Sequence, residues 1–220
     1  MLSYRPEAAA SYHRLPFGLI AAVLLSVVGC ERAPQDGAAR AEHVYSNCVT
    51  CHGENGTGSQ LAGAPPLAGL DQWYLEAQMT KFKDGRRGAH PDDVGGMKMR
   101  AFIRTLHGPN DISLLAEYLS QMPSHDPAVA DLGGDAAKGK TLYATCTACH
   151  GMDAKGMQAL NAPNLNGLPG WYMVNQLKNF KAGIRGSNGK DSTGAQMRAM
   201  TNTLVDEQAM KDVVAHIESL

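Results

Sequence analysis

An all-α protein of two tandem domains is what this chain predicts, on three observations. Its second half repeats its first at an offset of 98 residues. Apolar residues recur at three- and four-residue spacing in both copies, and no stretch alternates as a strand would. Each copy opens on the same kind of motif, Cys48-Val-Thr-Cys51-His52 and Cys146-Thr-Ala-Cys149-His150.

The repeat constrains every other feature of the chain. Aligned without a gap, 27 of the 62 positions from Tyr45 to Leu106 are identical, which marks a tandem duplication. The identities include Tyr45 with Tyr143, Gly53 with Gly151, Pro65 with Pro163, Leu67 with Leu165, Trp73-Tyr74 with Trp171-Tyr172 and Phe82-Lys83 with Phe180-Lys181. The expected division is a first domain over 38–122, a linker over 123–134 and a second domain over 135–220. Pro123, Pro127, Gly133 and Gly134 punctuate the linker, whose length lets the domains pack face to face.

Within each repeat the pattern predicts three helices around loops. Residues Ala38 to Asn47 and Ala136 to Thr145 lead into the cysteine motif, and Trp73 to Lys83 and Trp171 to Lys181 follow. The third helix carries Ile112, Leu115, Ala116 and Leu119, mirrored by Met210, Val213, Val214 and Ile217. Gly108-Pro109 predicts its start in the first copy, with proline at the first helical position, and Asp206 its cap in the second.

The N-terminus speaks to compartment. Arg5, His13 and Arg14 precede an apolar run from Phe17 to Val28 that closes on Val27-Val28-Gly29-Cys30. This is the layout of a secretory signal over 1–29, too short for the roughly 20 residues of a membrane span. Gly29 before Cys30 resembles a bacterial lipobox, which implies cleavage before Cys30, a diacylglycerol on its thiol and a tether over 30–37. Two or more acyl chains anchor a protein stably. The alternatives are an ordinary signal peptide or an uncleaved anchor, with Cys30 incidental. Of five cysteines, four lie in the repeated motifs, and the leftover one is Cys30. The expected location is the periplasm, lipid-anchored to a bacterial membrane.

Charge excludes more than it proposes. Removing Arg5, Arg14 and Glu7 with the signal leaves 18 basic and 20 acidic residues, with no basic stripe suited to nucleic acid.

Paired cysteines two residues apart serve a disulfide or redox dithiol, half of a zinc site, or covalent attachment of a c-type haem. Only the haem reading also specifies the histidine. Each thiol adds to a vinyl group, and the turn between them delivers the next side chain to the iron. A zinc ribbon wants its second pair within roughly 15–20 residues, and these pairs lie far beyond that. Two covalently bound haem c groups are therefore expected, on Cys48 and Cys51 and on Cys146 and Cys149, with His52 and His150 as iron ligands. A haem also supplies buried surface that repeats this small lack.

The second axial ligand decides between carrier and enzyme. Eleven methionines make a lone one uninformative, but a duplicated site keeps its ligand in both copies. Met97 aligns with Ala195, and Met200 with Phe102; these remain in reserve. Met99 aligns with Met197 inside a shared Met-Arg-Ala and is expected to ligate in each copy. Among histidines, His90 aligns with Asn188, His107 with Val205 and His216 with Tyr118, while His125 falls in the linker, so loop, surface or packing roles are expected. Around the haem, the carbonyls of Pro65 and Pro163 are placed to accept from the proximal imidazole. Trp73 and Trp171 offer indole N–H donors to propionates or serve as core. Arg87 with Arg185, and Arg100 with Arg198, recur and could meet propionates or remain solvated.

Taken together, Cys-x-x-Cys-His-Gly, Ala-Pro-x-Leu-x-Gly-Leu, Trp-Tyr with Phe-Lys, the recurring Met and a terminal helix resemble class I cytochrome c. The tandem arrangement resembles the di-haem cytochromes of the c-four group over nearly all of the mature chain. The resemblance implies two small all-α class I cytochrome c domains, each wrapped around a covalent His/Met haem. It further implies electron transfer from a quinol-oxidising complex or dehydrogenase to a haem-copper oxidase or other terminal reductase. The segments from Ala89 to Gly96 and from Ser187 to Gly194 are longer than in the best-known members. The rival readings are a di-haem enzyme, peroxidase-like or oxidising sulfur compounds, and a fixed electron-transfer subunit of a larger complex. Known peroxidases of this kind need a longer chain and an open haem, and known thiosulfate-oxidising enzymes use an axial cysteine, which is not free here once Cys30 is lipidated.

Overall fold

The computed structural model describes residues 33–125 and 130–220. The expected signal segment 1–29, the expected lipidation site Cys30, the start of the expected tether and residues 126–129 of the expected linker lie outside the described residues. The first repeat contains α1 (Gly37–Tyr45), α2 (Val49–His52), α3 (Gln72–Lys83), α4 (Val94–Arg104) and α5 (Asp111–Ser120). The second contains α6 (Ala136–Tyr143), α7 (Thr147–His150), α8 (Gly170–Lys181), α9 (Ser192–Thr201) and α10 (Glu207–Glu218), with a 3-10 turn at Gln158–Leu160. Extended pairing among the described residues is limited to two isolated bridges, Ser59 with Ala64 and Met157 with Ala162. No described helix is long and apolar enough to cross a membrane.

Two expectations are corrected. Each repeat has a fourth long helix, α4 or α9, where only three helices around loops were expected. Glycine costs a helix interior about 1 kcal/mol relative to alanine, so Gly95, Gly96 and Gly194 conceal these helices in the sequence. Aspartate caps offset the penalty: Asp93 Oδ1 accepts from Gly96 N at 2.9 Å, and Asp191 Oδ1 from Gly194 N at 3.1 Å. The second correction concerns Pro109, which stands outside α5; the helix starts at Asp111, with Asn110 as its cap residue. Asp111 itself organises this start, its Oδ2 accepting from Gly108 N at 2.8 Å while Arg40 of α1 grips both oxygens at 2.8 and 2.9 Å. In the second repeat Asp206 caps α10 as expected, accepting from Ala209 N at 2.8 Å.

Each repeat closes by crossing its first helix over its last, α1 on α5 and α6 on α10. A Cβ on Gly139 would collide with the Asp212 carbonyl of α10, so α6 packs backbone to backbone there; Ala41 fills the matching place in α1 and is buried. Tyr45 meets Tyr118 with ring centroids 5.8 Å apart, and Tyr143 meets His216 edge-on at 5.4 Å, which gives His216 the packing role expected of it. Leu115, Leu119 and Ile103 fill the first core, and Val213, Val214 and Ile217 the second. Full burial of one such side chain stabilises by about 1.5–3 kcal/mol. Leu70 packs against both cores, joining the repeats.

Candidate haem sites

The cysteine motifs are single helical turns. The Cys48 carbonyl accepts from Cys51 N at 3.2 Å and His52 N at 2.9 Å, and Cys146 repeats the pattern with Cys149 and His150. Residues three and four apart share a helix face, so both thiols and the imidazole project to one side. Gly53, at φ +79°, then turns the chain away in a conformation that L residues rarely adopt. Tyr45 donates to the Gly53 carbonyl at 2.6 Å and Tyr143 to that of Gly151 at 2.9 Å, clamping each exit.

The chain returns to the histidine through a tight loop. Gly58 N donates to the His52 carbonyl at 2.8 Å, the Ser59–Ala64 bridge reverses direction, and the Pro65 carbonyl then accepts from His52 Nδ1 at 2.9 Å. The second repeat does the same with Gly156 and Pro163, at 2.8 and 3.0 Å. Both histidines are buried, and that burial, opposed by the proline carbonyl, pushes their titration below the ordinary histidine range. A neutral imidazole whose Nδ1–H is spent on a carbonyl presents only Nε2 to a metal.

In the second repeat a crevice has Cys146 and His150 in its wall together with Met197 of α9. Its lining is mainly apolar, and Tyr74, Gln78 and Lys81 of the first repeat contribute to it. In the first repeat Met99 and Cys48 pack against one core, both partly buried. The reserve methionines, Met97 and Met200, are each 40% exposed. His107 and His125 are exposed, and His90 accepts from Asp92 N at 3.2 Å within its own loop.

At the seam between the repeats, Arg87 donates to Gln78 at 2.8 Å and to Gln176 at 3.5 Å, while Arg185 donates to Gln176 at 2.7 Å and to Gln78 at 3.0 Å. Each guanidinium lies over a phenylalanine, Arg87 on Phe82 at 4.2 Å and Arg185 on Phe180 at 4.4 Å. Burial and then the like charge of Arg185 push the Arg87 value down. The Nε atoms of Arg87, Arg185 and Arg100 are buried without an acceptor, whereas Arg198 is exposed. Trp73 and Trp171 are half-buried and set edge-on to Tyr74 and Tyr172, at 5.9 and 5.7 Å. Gln78 and Gln176 were not singled out in the sequence, although they match at the 98-residue offset. These residues fit a haem: paired thiols beside a histidine held by Nδ1, a methionine in the same apolar crevice, and buried cationic N–H groups that lack an anion.

Comparison with known proteins gives the same picture. The cytochrome c family model matches twice, over residues 38–123 and 136–220. A thiosulfate dehydrogenase electron acceptor from Thiomonas intermedia (strain K12) is 33% identical over 162 residues, covering 70% of this chain and 70% of its own. Cytochrome c4 from Stutzerimonas stutzeri is 30% identical over 174 residues, covering 75% of this chain and 81% of its own. The crystal structure of reduced cytochrome c4 from Pseudomonas stutzeri superposes with a TM-score of 0.67 at 25% identity, over 84% of this chain and 100% of that one.

Proposed function

We propose, for a chain that belongs to the cytochrome c family as a di-haem electron carrier of the cytochrome c4 type, that His52 with Met99 and His150 with Met197 ligate its two irons. The two covalently bound haem c groups supply one-electron chemistry between ferric and ferrous iron. The observation that carries the assignment is His150, its Nδ1 held by the Pro163 carbonyl at 3.0 Å, lining the same crevice as Met197. Cys48 and Cys51, and Cys146 and Cys149, supply the thiols for attachment. The proline carbonyls orient the imidazoles and raise their basicity as ligands. Arg87 and Arg185, with Trp73 and Trp171, meet propionates. With His52 and Met99, and His150 and Met197, as ligands, neither iron would keep a position for substrate, so the protein would relay electrons rather than catalyse.

The test is the visible spectrum of the ferric holoprotein, where thioether ligation gives a weak charge-transfer band. Met99→Ala and Met197→Ala are each expected to remove about half of it and to open one ferrous haem to carbon monoxide. Carbon monoxide or peroxide binding in the unaltered protein would leave one site open and return the chain to the enzymes.

The donor is a dehydrogenase or a quinol-oxidising complex, and the acceptor a haem-copper oxidase or other terminal reductase. The name of the Thiomonas relative supports a sulfur-compound dehydrogenase as donor. The site of action is the periplasm, with the chain tethered through acylated Cys30; the Val-Val-Gly-Cys sequence at 27–30 supports this. Intact mass of detergent-extracted protein checks it, expecting a lipid-modified N-terminal Cys30; an unlipidated N-terminus overturns it.

A further inference from the structure

The repeats share their helices but not every contact at their seam. Arg87, Gln78, Gln176 and Arg185 cross it as matched pairs. One ion pair has no mirror image. Lys81 of α3 extends Nζ to 2.6 Å from Asp191 Oδ1 and donates to Thr193 Oγ1 at 2.5 Å, both at the start of α9.

Asp191 is the cap of α9, with its side chain 1% exposed and its Oδ2 buried without a hydrogen-bond partner. Arg86 and Arg185 lie near enough for their charge to act on it. Neither donates to it: Arg86 pairs with Asp84 at 2.7 Å, and Arg185 binds the glutamines. Lys81 is therefore the cation in contact. In the first repeat Asp93 caps α4 the same way, accepting from Gly96 N at 2.9 Å. The residue 98 positions after Lys81, however, is Asn179, which carries no charge. Among the described residues Asp93 has no ion-pair partner.

We propose that the Lys81–Asp191 pair is an interdomain latch that positions α9 and makes Met197 harder to displace from iron than Met99. The inference rests on the ligand assignment above. Met197 follows Asp191 by six residues on one helix, as Met99 follows Asp93. At 1.5 Å of rise per residue the cap sits about 9 Å along a stiff rod from the thioether. Withdrawing Met197 by moving α9 strains the latch, and breaking it strands a buried carboxylate without its cation. Among the described residues α4 has no such ion pair to the other repeat. Lys81 is thus a positioning residue for the second haem site, acting from the first domain.

The experiment uses ferric holoprotein titrated with imidazole, which competes with the thioether for iron. In a Met99→Ala background the thioether band reports on Met197 alone, and in Met197→Ala on Met99 alone. Met197 is expected to need about tenfold more imidazole for half-displacement than Met99. Lys81→Met should lower the Met197 midpoint by about that factor and leave Met99 unmoved, while Lys81→Arg keeps most of the effect. Asn179→Lys, which offers Asp93 a cation, should raise the Met99 midpoint, and it decides the matter if Lys81→Met yields no folded holoprotein. An intact band with a Met197 midpoint unmoved by Lys81→Met, or a Met99 midpoint unmoved by Asn179→Lys where that variant decides, overturns the latch alone. If the methionine variants do not each remove half the band, the ligand assignment falls and the latch with it.

Discussion

Replacing Gly58 by alanine strikes the link between the proximal loop and the histidine. Gly58 has φ +77°, and a Cβ there would lie 2.6 Å from the Pro65 carbonyl carbon, 2.6 Å from Pro66 N and 2.7 Å from the Ala64 oxygen. All three are backbone atoms, so no rotamer change relieves the contact. Left-handed backbone costs an L residue about 1–2 kcal/mol. Pushing back Pro65 also threatens its 2.9 Å bond to His52, and a buried N–H left unpaired costs about 1–3 kcal/mol more. The sum, about 2–5 kcal/mol, is a large share of the roughly 5–15 kcal/mol that stabilises a domain. Two other glycines of the repeat calibrate it. Gly63, at φ +67° in open space, should lose only the backbone contribution, about 1–2 kcal/mol. Gly95 lies in α4 with open space around a new Cβ, and alanine there should stabilise by up to about 1 kcal/mol. Guanidinium unfolding of the holoproteins, followed by visible absorbance and circular dichroism, gives the order. A Gly58→Ala protein as stable as Gly63→Ala would mean that the loop relaxes without moving Pro65, and the argument tying this glycine to the histidine would fail.

Other perturbations test other joints. Tyr143→Phe removes the 2.9 Å bond to the Gly151 carbonyl and should destabilise the second repeat by about 1 kcal/mol in the same assay. Burial pushes the Tyr143 phenol up to about 12; because the folded value is raised, this contribution is complete below the ordinary tyrosine range near ~10 and is lost as pH rises through the folded value. Ultraviolet titration should show Tyr143 ionising above the ordinary range or only with unfolding. Asp111 moves the other way: the Arg40 hydrogen bond, against burial, holds its carboxyl below the ordinary range. Its stabilisation is complete above that range and lost as pH falls through the lowered value. Asp111→Asn should therefore cost about 1.5–3 kcal/mol at neutral pH, with the deficit shrinking in acid. Arg185→Met removes a half-buried cation that favours the more electron-rich ferrous state, so potentiometry should find at least one midpoint lowered.

What the sequence disclosed follows from what duplication preserves. The cysteine motifs, Pro65 with Pro163, and Met99 with Met197 were legible because each recurs at the 98-residue offset, as the proposed role at each haem requires. The helices α3, α5, α8 and α10 were legible by their apolar spacing. The helices α4 and α9 were not, because glycines in their first turns read as loop and the compensating caps, Asp93 and Asp191, are single residues whose effect depends on one hydrogen bond each. Pro109 misled for a related reason: proline at a helix start is favourable locally, but the bidentate grip of Arg40 on Asp111 sets the boundary through a contact 71 residues apart in sequence.

The same filter that singled out the proposed ligands hides the features that distinguish the domains. A match at the 98-residue offset selects what both sites need, so it retrieves Gln78 with Gln176 and discards Lys81, whose counterpart is Asn179. Yet a tandem pair derived from one ancestral unit acquires unequal sites only through residues that fail to match. Buried ionic contacts depend on geometry, and removing one partner is far costlier than never having either. An unmatched lysine in contact with a buried helix cap therefore has a large energetic effect for a small sequence signal. The difference between the two haem sites is written mainly in such residues, and Lys81 with Asp191 is the clearest pair at this seam.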